Sequence, residues 1–488
     1  MNKINTKNIL IILGIFLILE IISILGFAVT VVNQLSFFLL VLLMLVISSY
    51  KLEYGLLIVL AELLIGSKGY LFYLSLGEGK LLSLRLVIWS ILMLVFVVKF
   101  VLQLKRSGLQ SEYLKKIKDF IFLQYYFILA GFIVIGLISA FLYKNDLTNI
   151  FLDFNAWLYF LILFPVIAVN LNCKQVANIF IAGAIWISLK TLILLAIFSN
   201  NFVFAPQAYS WLRKTLVGEM TLANGWNRVF IQSQIFSIIA YFFLFFELLK
   251  IDNLKSLFSK KNILHFILGA LFFSTLLISL SRSFWVGFAI VILLSMIFIW
   301  KFYSFKQVGH IFIWAFISSI LAVAMILAAT PTLVGNFNNQ LINRISNKEE
   351  AAIVSRWTLL PKLIQEIKTN PVSGQGFGKT VTYISSDPRI LENESSGRYT
   401  TYAFEWGYLD MWLKIGALGL IAYLFLIYKI TIQAIISGRK SGDYIYFSIA
   451  AGLLFLAVLN IFTPYLNHPL GIGFIVVSSC LILKDRVY

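Results

Sequence analysis

The sequence predicts an all-α protein, a polytopic membrane helix bundle of about 14 spans with one large external loop carrying short amphipathic helices. Three observations lead there. The chain is 60% hydrophobic and only 12% charged, whereas a soluble domain is closer to half apolar and a quarter charged. Its mean hydropathy is +0.93, and runs of about 20 apolar residues, enough to cross a bilayer, recur along it. A single long polar segment, residues 331–405, interrupts them.

The runs lie near 8–31, 33–50, 53–66, 84–104, 119–143, 154–172, 175–199, 229–249, 263–280, 283–303, 307–330, 407–430, 444–463 and 468–484. The third is the shortest. No small-residue cleavage site follows the first, so it is expected to be retained as a helix. Alternation through these spans puts Lys105, Arg106, Lys115, Lys116 and Lys118 on the same side as Lys250, Lys255, Lys260 and Lys261. Lys301 with Lys306, Arg439 with Lys440, and Lys484 with Arg486 fall there too. By the positive-inside rule that side is cytoplasmic. Both termini are then cytoplasmic, and residues 331–405 and 200–227 are external. The expected organisation is a bundle of eleven spans over 1–330, an external loop over 331–406 and three spans over 407–488.

This topology accounts for most of the formal charge of +18, so nucleic acid is not an expected partner. Eight of the 11 arginines oppose the bias by lying outside: Arg85, Arg213, Arg228, Arg282, Arg344, Arg356, Arg389 and Arg398. Guanidinium matches phosphate oxygens in pairs and stays charged in a poor dielectric. An external arginine cluster therefore fits an anionic headgroup; for Arg344, Arg389 and Arg398 solvation or pairing with nearby carboxylates is the simpler reading. Arg282 follows a span directly in LSLSRSFW, where a charge is costly unless it meets an aqueous cavity or a partner. Cys173 and Cys480 suggest neither a disulfide framework nor a metal site, and His265, His310 and His468 have no ligand-like spacing.

Within the external segment, Ser346 to Glu349 resembles a capping box. Ile353, Trp357, Leu360, Ile364 and Ile367 then follow at helical spacing as one apolar stripe, with Arg356 on its flank. Pro361 is expected to kink or split that helix. The stripe either lies on the bundle or membrane interface or clamps a lipid-linked substrate and aims Arg356 at its headgroup. Asn370 to Gly378 follows, a proline and three glycines that permit unusual backbone angles. It follows no strand, so a nucleotide reading is poor. Trp406, Tyr408 and Trp412 suit the aqueous–lipid boundary. Asp410 and Lys414, four apart, are expected to pair structurally. Glu405, at the outer edge of the next helix, is either a carboxylate favoured by the helix dipole or a general base.

Three separated stretches resemble the O-antigen ligase and polymerase superfamily of bacterial membrane glycosyltransferases. LISLSRSFWVGFAIVILL resembles its Ser-Arg-rich helix junction. RWTLLPKLIQEIKTNPVSGQGFG resembles its Arg-led amphipathic helix and Pro-x-x-Gly-x-Gly turn, and YLDMWLKIGALGL its helix with Gly-x-x-Gly. The resemblance covers about residues 265–430. It implies an inverting, metal-independent transfer of a glycan from polyprenyl pyrophosphate, at the outer face of the bacterial cytoplasmic membrane, with no cofactor. Arg282 and Arg356 would bind the pyrophosphate, joined by Arg213 or Arg228. The family's ligases commonly carry a histidine about eleven residues before the helix glycine; counting back from Gly416, this chain has Glu405. That departure favours a polysaccharide polymerase with a carboxylate base over a ligase that passes the glycan to another lipid or a protein. Expected partners are the polyprenyl-pyrophosphate-linked oligosaccharide, membrane lipid, a chain-length regulator and the pathway's flippase. The alternatives are a polysaccharide-lipid flippase, against which stands the lack of an internal repeat, and an export scaffold without chemistry.

Overall fold

The structure, a computed structural model, describes residues 6–77, 80–169, 171–223, 226–251, 253–331 and 351–483. Arg344, the capping box at Ser346–Glu349 and the basic tail at Lys484 and Arg486 lie outside the described residues, as does the side chain of Arg389.

Every apolar run contains helix. Among the described residues, eight helices are long and apolar enough to cross a membrane: Thr6–Ala28, Thr30–Tyr50, Leu84–Gln110, Leu123–Leu142, Cys173–Ser199, Arg282–Phe302, Phe305–Ala329 and Gly407–Ser441. A pair bent by 41°, Leu147–Phe154 with Trp157–Ala168, makes nine if taken as one broken span. The chain is a multi-pass membrane protein. The other runs form shorter helices, Leu52–Ile65, Gln234–Glu247, Lys260–Ile278, Ile445–Leu459 and Pro469–Leu481. Leu52–Ile65 and Gln234–Glu247 are buried over most of their circumference; their all-round hydrophobicity answers to protein neighbours rather than to lipid.

Among the described residues the helical architecture also carries three two-stranded antiparallel hairpins, Tyr73–Ser75 with Leu81–Ser83, Glu219–Ala223 with Trp226–Phe230, and Val381–Ile384 with Arg398–Thr401. In the second, Ala223 pairs with Trp226, and the two residues between them in sequence are Asn-Gly, the strongest short-range hairpin signal.

Contacts group the chain into two compact units, Met1–Lys116 with Ile162–Ile342 and Gly442–Gly452, and Ile117–Leu161 with Asn343–Ser441 and Leu453–Tyr488. In the first, two ion pairs among the described residues are buried inside the helices. Arg85 binds Glu62 through two nitrogens, Nε to Oε2 at 2.7 Å and Nη2 to Oε1 at 3.0 Å, and gives Nη1 to the Ser67 carbonyl at 2.7 Å. Lys190 binds Glu20 and lies 5.0 Å from the Trp211 ring centroid. Arg85 is therefore not a free member of an outer arginine cluster. A lone guanidinium inside an apolar bundle is too costly to leave unpaired, and Glu62, itself embedded in an apolar run, is its counter-ion.

In the second unit the Gly407–Ser441 helix breaks at Gly416, whose φ is 71° and ψ 172°. The break would orphan the Leu413 carbonyl and the Ala417 N–H, which pair in an unbroken helix. Segment 370–378 supplies both partners: Gln375 N–H donates to the Leu413 carbonyl at 2.6 Å, and Ala417 N–H donates to the Pro371 carbonyl at 3.0 Å. At membrane depth, irregular backbone survives only where protein satisfies it in this way. Such close approach requires glycine. Gly376, at φ 83°, runs against the Leu123–Leu142 helix, where an added Cβ would lie 2.2 Å from the Ala140 nitrogen. Gly376→Ala is expected to destabilise the protein by about 3 kcal/mol or more, from the positive φ and the clash with backbone together. Gly77 has a similar φ, 85°, but nothing among the described residues near its missing Cβ, so Gly77→Ala isolates the conformational part. Thermal unfolding of the two purified variants measures the difference.

Candidate active site

Two groups of site residues emerge, one in each unit. In the second unit the structure brings Arg356 and Glu405 together: Arg356 Nε donates to Glu405 Oε2 in an ion pair. Neither side chain is buried, at 35% and 53% exposure, so both remain open to exchange partners. The main chain around them is held independently. Trp406 Nε1 donates to the Arg356 carbonyl at 3.1 Å and its ring meets Trp357 edge-on at 5.7 Å. Phe404 is buried, with the Lys414 ammonium 5.7 Å from its ring centroid. Glu405 is thus presented between two anchored aromatic residues.

The Ala351–Thr369 helix that carries Arg356 runs through Pro361 without splitting. Its packed face also differs from the expected stripe. Leu359, Leu363 and Ile367 are buried against Val381, Phe404 and Leu413, while Trp357 and Ile364 are exposed. The helix has apolar residues on two adjacent faces. Periodicity does not rank them; the partner surface does, because the hairpin and Leu413 cover only one. Tyr383 packs on the same cluster. Burial pushes its hydroxyl above the ordinary phenol value, helped by Tyr399 and Asp387 and opposed by a hydrogen bond with Ser385.

The aromatic residues expected at the lipid boundary direct their polar atoms to protein backbone. Tyr408 donates to the Ala457 carbonyl at 2.5 Å and Trp412 to the Pro371 carbonyl at 2.8 Å. The expected Asp410–Lys414 pair is present at 2.6 Å. Sequence reasoning missed its third and fourth members. Lys414 Nζ also reaches Asp153 Oδ1 at 2.5 Å, Asp153 Oδ2 accepts the Gly378 N–H at 2.8 Å, and Asn467 donates to Asp410 at 2.5 Å. This buried network ties the glycine segment to the broken helix. The glycines therefore serve backbone packing.

In the first unit, Arg282 is the first residue of the Arg282–Phe302 helix. A cation there opposes the helix dipole by about 0.3–1 kcal/mol. The Leu280 backbone just before it is left-handed, at φ 44°, a strained conformation for leucine. Arg228 Nε donates to the Ser279 carbonyl at 2.8 Å, its guanidinium stacks 4.9 Å from the Phe230 centroid, and Phe230 meets Phe284 at 5.6 Å. Arg228 is thereby fastened to the turn that leads into Arg282. Arg213, on the Ala205–Lys214 helix, instead faces Glu219 at 3.6 Å. Strand register puts Glu219 opposite Phe230 and Thr221 opposite Arg228, so Glu219, Phe230 and Arg228 share one face of the hairpin.

Residues 267–424 match the family model described as O-Antigen ligase. The resemblance to the O-antigen ligase and polymerase superfamily is real over that segment. The match includes Arg282, Arg356, Glu405 and the break at Gly416, and it ends before the last two helices; Arg213 and Arg228 precede it. At the level of the family it supports O-antigen ligase-type function, a membrane glycosyltransferase-like enzyme and a lipid-linked oligosaccharide substrate. No curated protein matches the chain.

Proposed function

We propose that the protein is a polysaccharide polymerase, transferring a glycan from polyprenyl pyrophosphate to a second lipid-linked glycan at the outer face of the bacterial cytoplasmic membrane. The observation that carries this is the Arg356–Glu405 pair inside the matched segment. A carboxylate stands where the family's ligases commonly have a histidine, and a guanidinium able to trade it for phosphate holds it in place.

Glu405 takes the proton of the acceptor hydroxyl. The hydroxyl oxygen then forms a bond to the anomeric carbon as the bond from that carbon to the phosphate oxygen breaks, with inversion. The electron pair leaves on the pyrophosphate, which stays on its lipid. Arginine stabilises that developing charge. Arg356 does so by leaving Glu405, which frees the carboxylate as a base. Arg282 and Arg228 are further pyrophosphate ligands. Arg282 acts with the N–H groups at the start of its helix, which attract anions, and Arg228 is held beside that turn. The expected outward placement of these groups, with both termini cytoplasmic, is part of the same proposal, as are the division into bundle and external loop and the partnership with a flippase and a chain-length regulator.

The test is reconstitution of the purified protein with a lipid-linked repeat, read by product length. Elongation on the carrier is the expected result, with Glu405→Gln slowing it about 10²–10⁴-fold, the usual worth of a general base. Transfer of whole chains to a different acceptor, with no elongation, would establish the ligase reading, which the family description itself favours.

A further inference from the structure

We propose that the first unit holds a separate binding site for one sugar residue of the glycan, in a cavity of about 200 Å³ lined by Ser67, Lys68, Arg213, Glu219, Phe230 and Gln232. The chemical class rests on the transferase reading above; the existence of the site rests on the following geometry.

Two walls meet at this cavity, and each is strained and pinned. Ser67 has φ 52° and Leu216, also in the lining, has φ 51°. Non-glycine residues in this region cost of order 1–3 kcal/mol and persist only where their surroundings over-determine them. Here they do. The buried Arg85–Glu62 pair holds the Ser67 carbonyl, and the adjacent Gly69 packs so closely on Arg85 that a Cβ would lie 2.6 Å from the arginine's own. On the other wall, Trp211 anchors the helix carrying Arg213: its Nε1 donates to Ser23 Oγ at 3.1 Å, and Ser23 Oγ donates to the Leu71 carbonyl at 2.8 Å. Ser23 thus ties the Arg213 wall to the Ser67 wall. The Ser67 hydroxyl is buried without a hydrogen-bond partner among the described residues, which leaves a donor and acceptor for a ligand.

The lining selects the ligand. Glu219 stands 3.6 Å from Arg213, so a pyrophosphate here would face a carboxylate. A sugar hydroxyl suits both at once, donating to Glu219 and accepting from Arg213 or Lys68. Gln232 and Ser67 offer further neutral groups, and Phe230 an apolar ring. The volume is below the roughly 300–1,000 Å³ of drug-sized sites, which limits the occupant to one residue of a longer chain.

The probe is carrier-free oligosaccharide of one repeat, released from the producing strain's own polysaccharide, titrated into the full-length protein in detergent. Inorganic pyrophosphate serves as the comparison anion. Glu219→Gln and Ser67→Gly are the variants. The first removes the carboxylate from an exposed pair that contributes little to folding; the second deletes the hydroxyl and relieves the positive φ. Each is expected to weaken oligosaccharide binding about tenfold, as loss of a hydrogen bond to a charged or buried group does, and to leave pyrophosphate binding no weaker. Oligosaccharide binding that is undetectable in the wild type, or unchanged in both variants, overturns the site. So does tighter pyrophosphate binding in Glu219→Gln with no loss of oligosaccharide. Transfer from the lipid-linked repeat, assayed on the same preparations, separates the two ideas. A protein that binds sugar through these residues but transfers nothing keeps the site and refutes the enzyme. One that transfers while both variants bind normally does the reverse.

Discussion

Arg356→Ala is expected to lower transfer from the lipid-linked repeat by about 10²–10³-fold in kcat, the effect of deleting one donor aimed at developing negative charge. The protein should still insert and purify. The side chain's pair with Glu405 is partly exposed, and such pairs contribute at most about 1 kcal/mol. The contact that fixes the helix, from Trp406 Nε1, goes to the Arg356 carbonyl and survives the substitution. Loss of activity with an unchanged unfolding midpoint is therefore the signature of a role in chemistry. Arg356→Lys should recover only part of the rate, because an ammonium keeps the charge but not the paired donors. Arg282→Ala should fall to a similar extent. Arg356→Ala combined with Glu405→Gln should be less damaging than the two effects multiplied, because the residues share a contact. Normal chain growth by both arginine variants in the reconstituted assay would remove Arg282 and Arg356 from the site.

Lys414→Met is expected to be the most damaging single substitution for stability. Lys414 Nζ lies between Asp410 and Asp153, and its side chain is 2% exposed. Removing it leaves two buried carboxylates facing each other without compensation, where breaking one buried pair already costs about 3–5 kcal/mol. The Gly378 N–H and the Asn467 amide, both bound to those carboxylates, would have to be rearranged with them. The triple variant Lys414→Met, Asp410→Asn, Asp153→Asn should regain most of the loss, since it removes the charges together. The yield of monodisperse protein and its thermal midpoint in detergent decide the matter; a Lys414→Met protein as stable as the wild type would show the network to be incidental.

The Arg356–Glu405 pair and the Lys414 network differ in how far the sequence anticipated them. Arg356 and Glu405 stand out in a chain poor in charge, within the segment that resembles a known superfamily, but no periodicity says that residues 49 apart share a hydrogen bond. Asp410 and Lys414 are four apart on a helix, so their pairing follows from local geometry. Asp153 lies 261 residues from its partner and carries no local mark. Glu62 and Glu20 could have been found: an acid inside an apolar run needs a counter-ion, and Arg85 and Lys190 are cations placed inside other runs. The Asn-Gly pair at 224–225 is likewise a hairpin signal in the sequence, and with it the paired strands that carry Glu219 and Arg228 could have been found.

Hydropathy and charge distribution determined the membrane class, the sites of the apolar helices and the position of the long polar segment. These depend on summed transfer free energies, which are additive along the chain. Three things were decided only by tertiary structure. Which face of the Ala351–Thr369 helix is buried depended on the surface opposite it. Whether Gly416 bends or breaks its helix depended on Pro371 and Gln375 arriving to take the orphaned hydrogen bonds. Which of Arg213 and Arg228 stands beside the turn before Arg282 depended on Ser279 and Phe230. Each is settled by a partner distant in sequence, and a pairwise energy at 3 Å has no counterpart in the local pattern of residues.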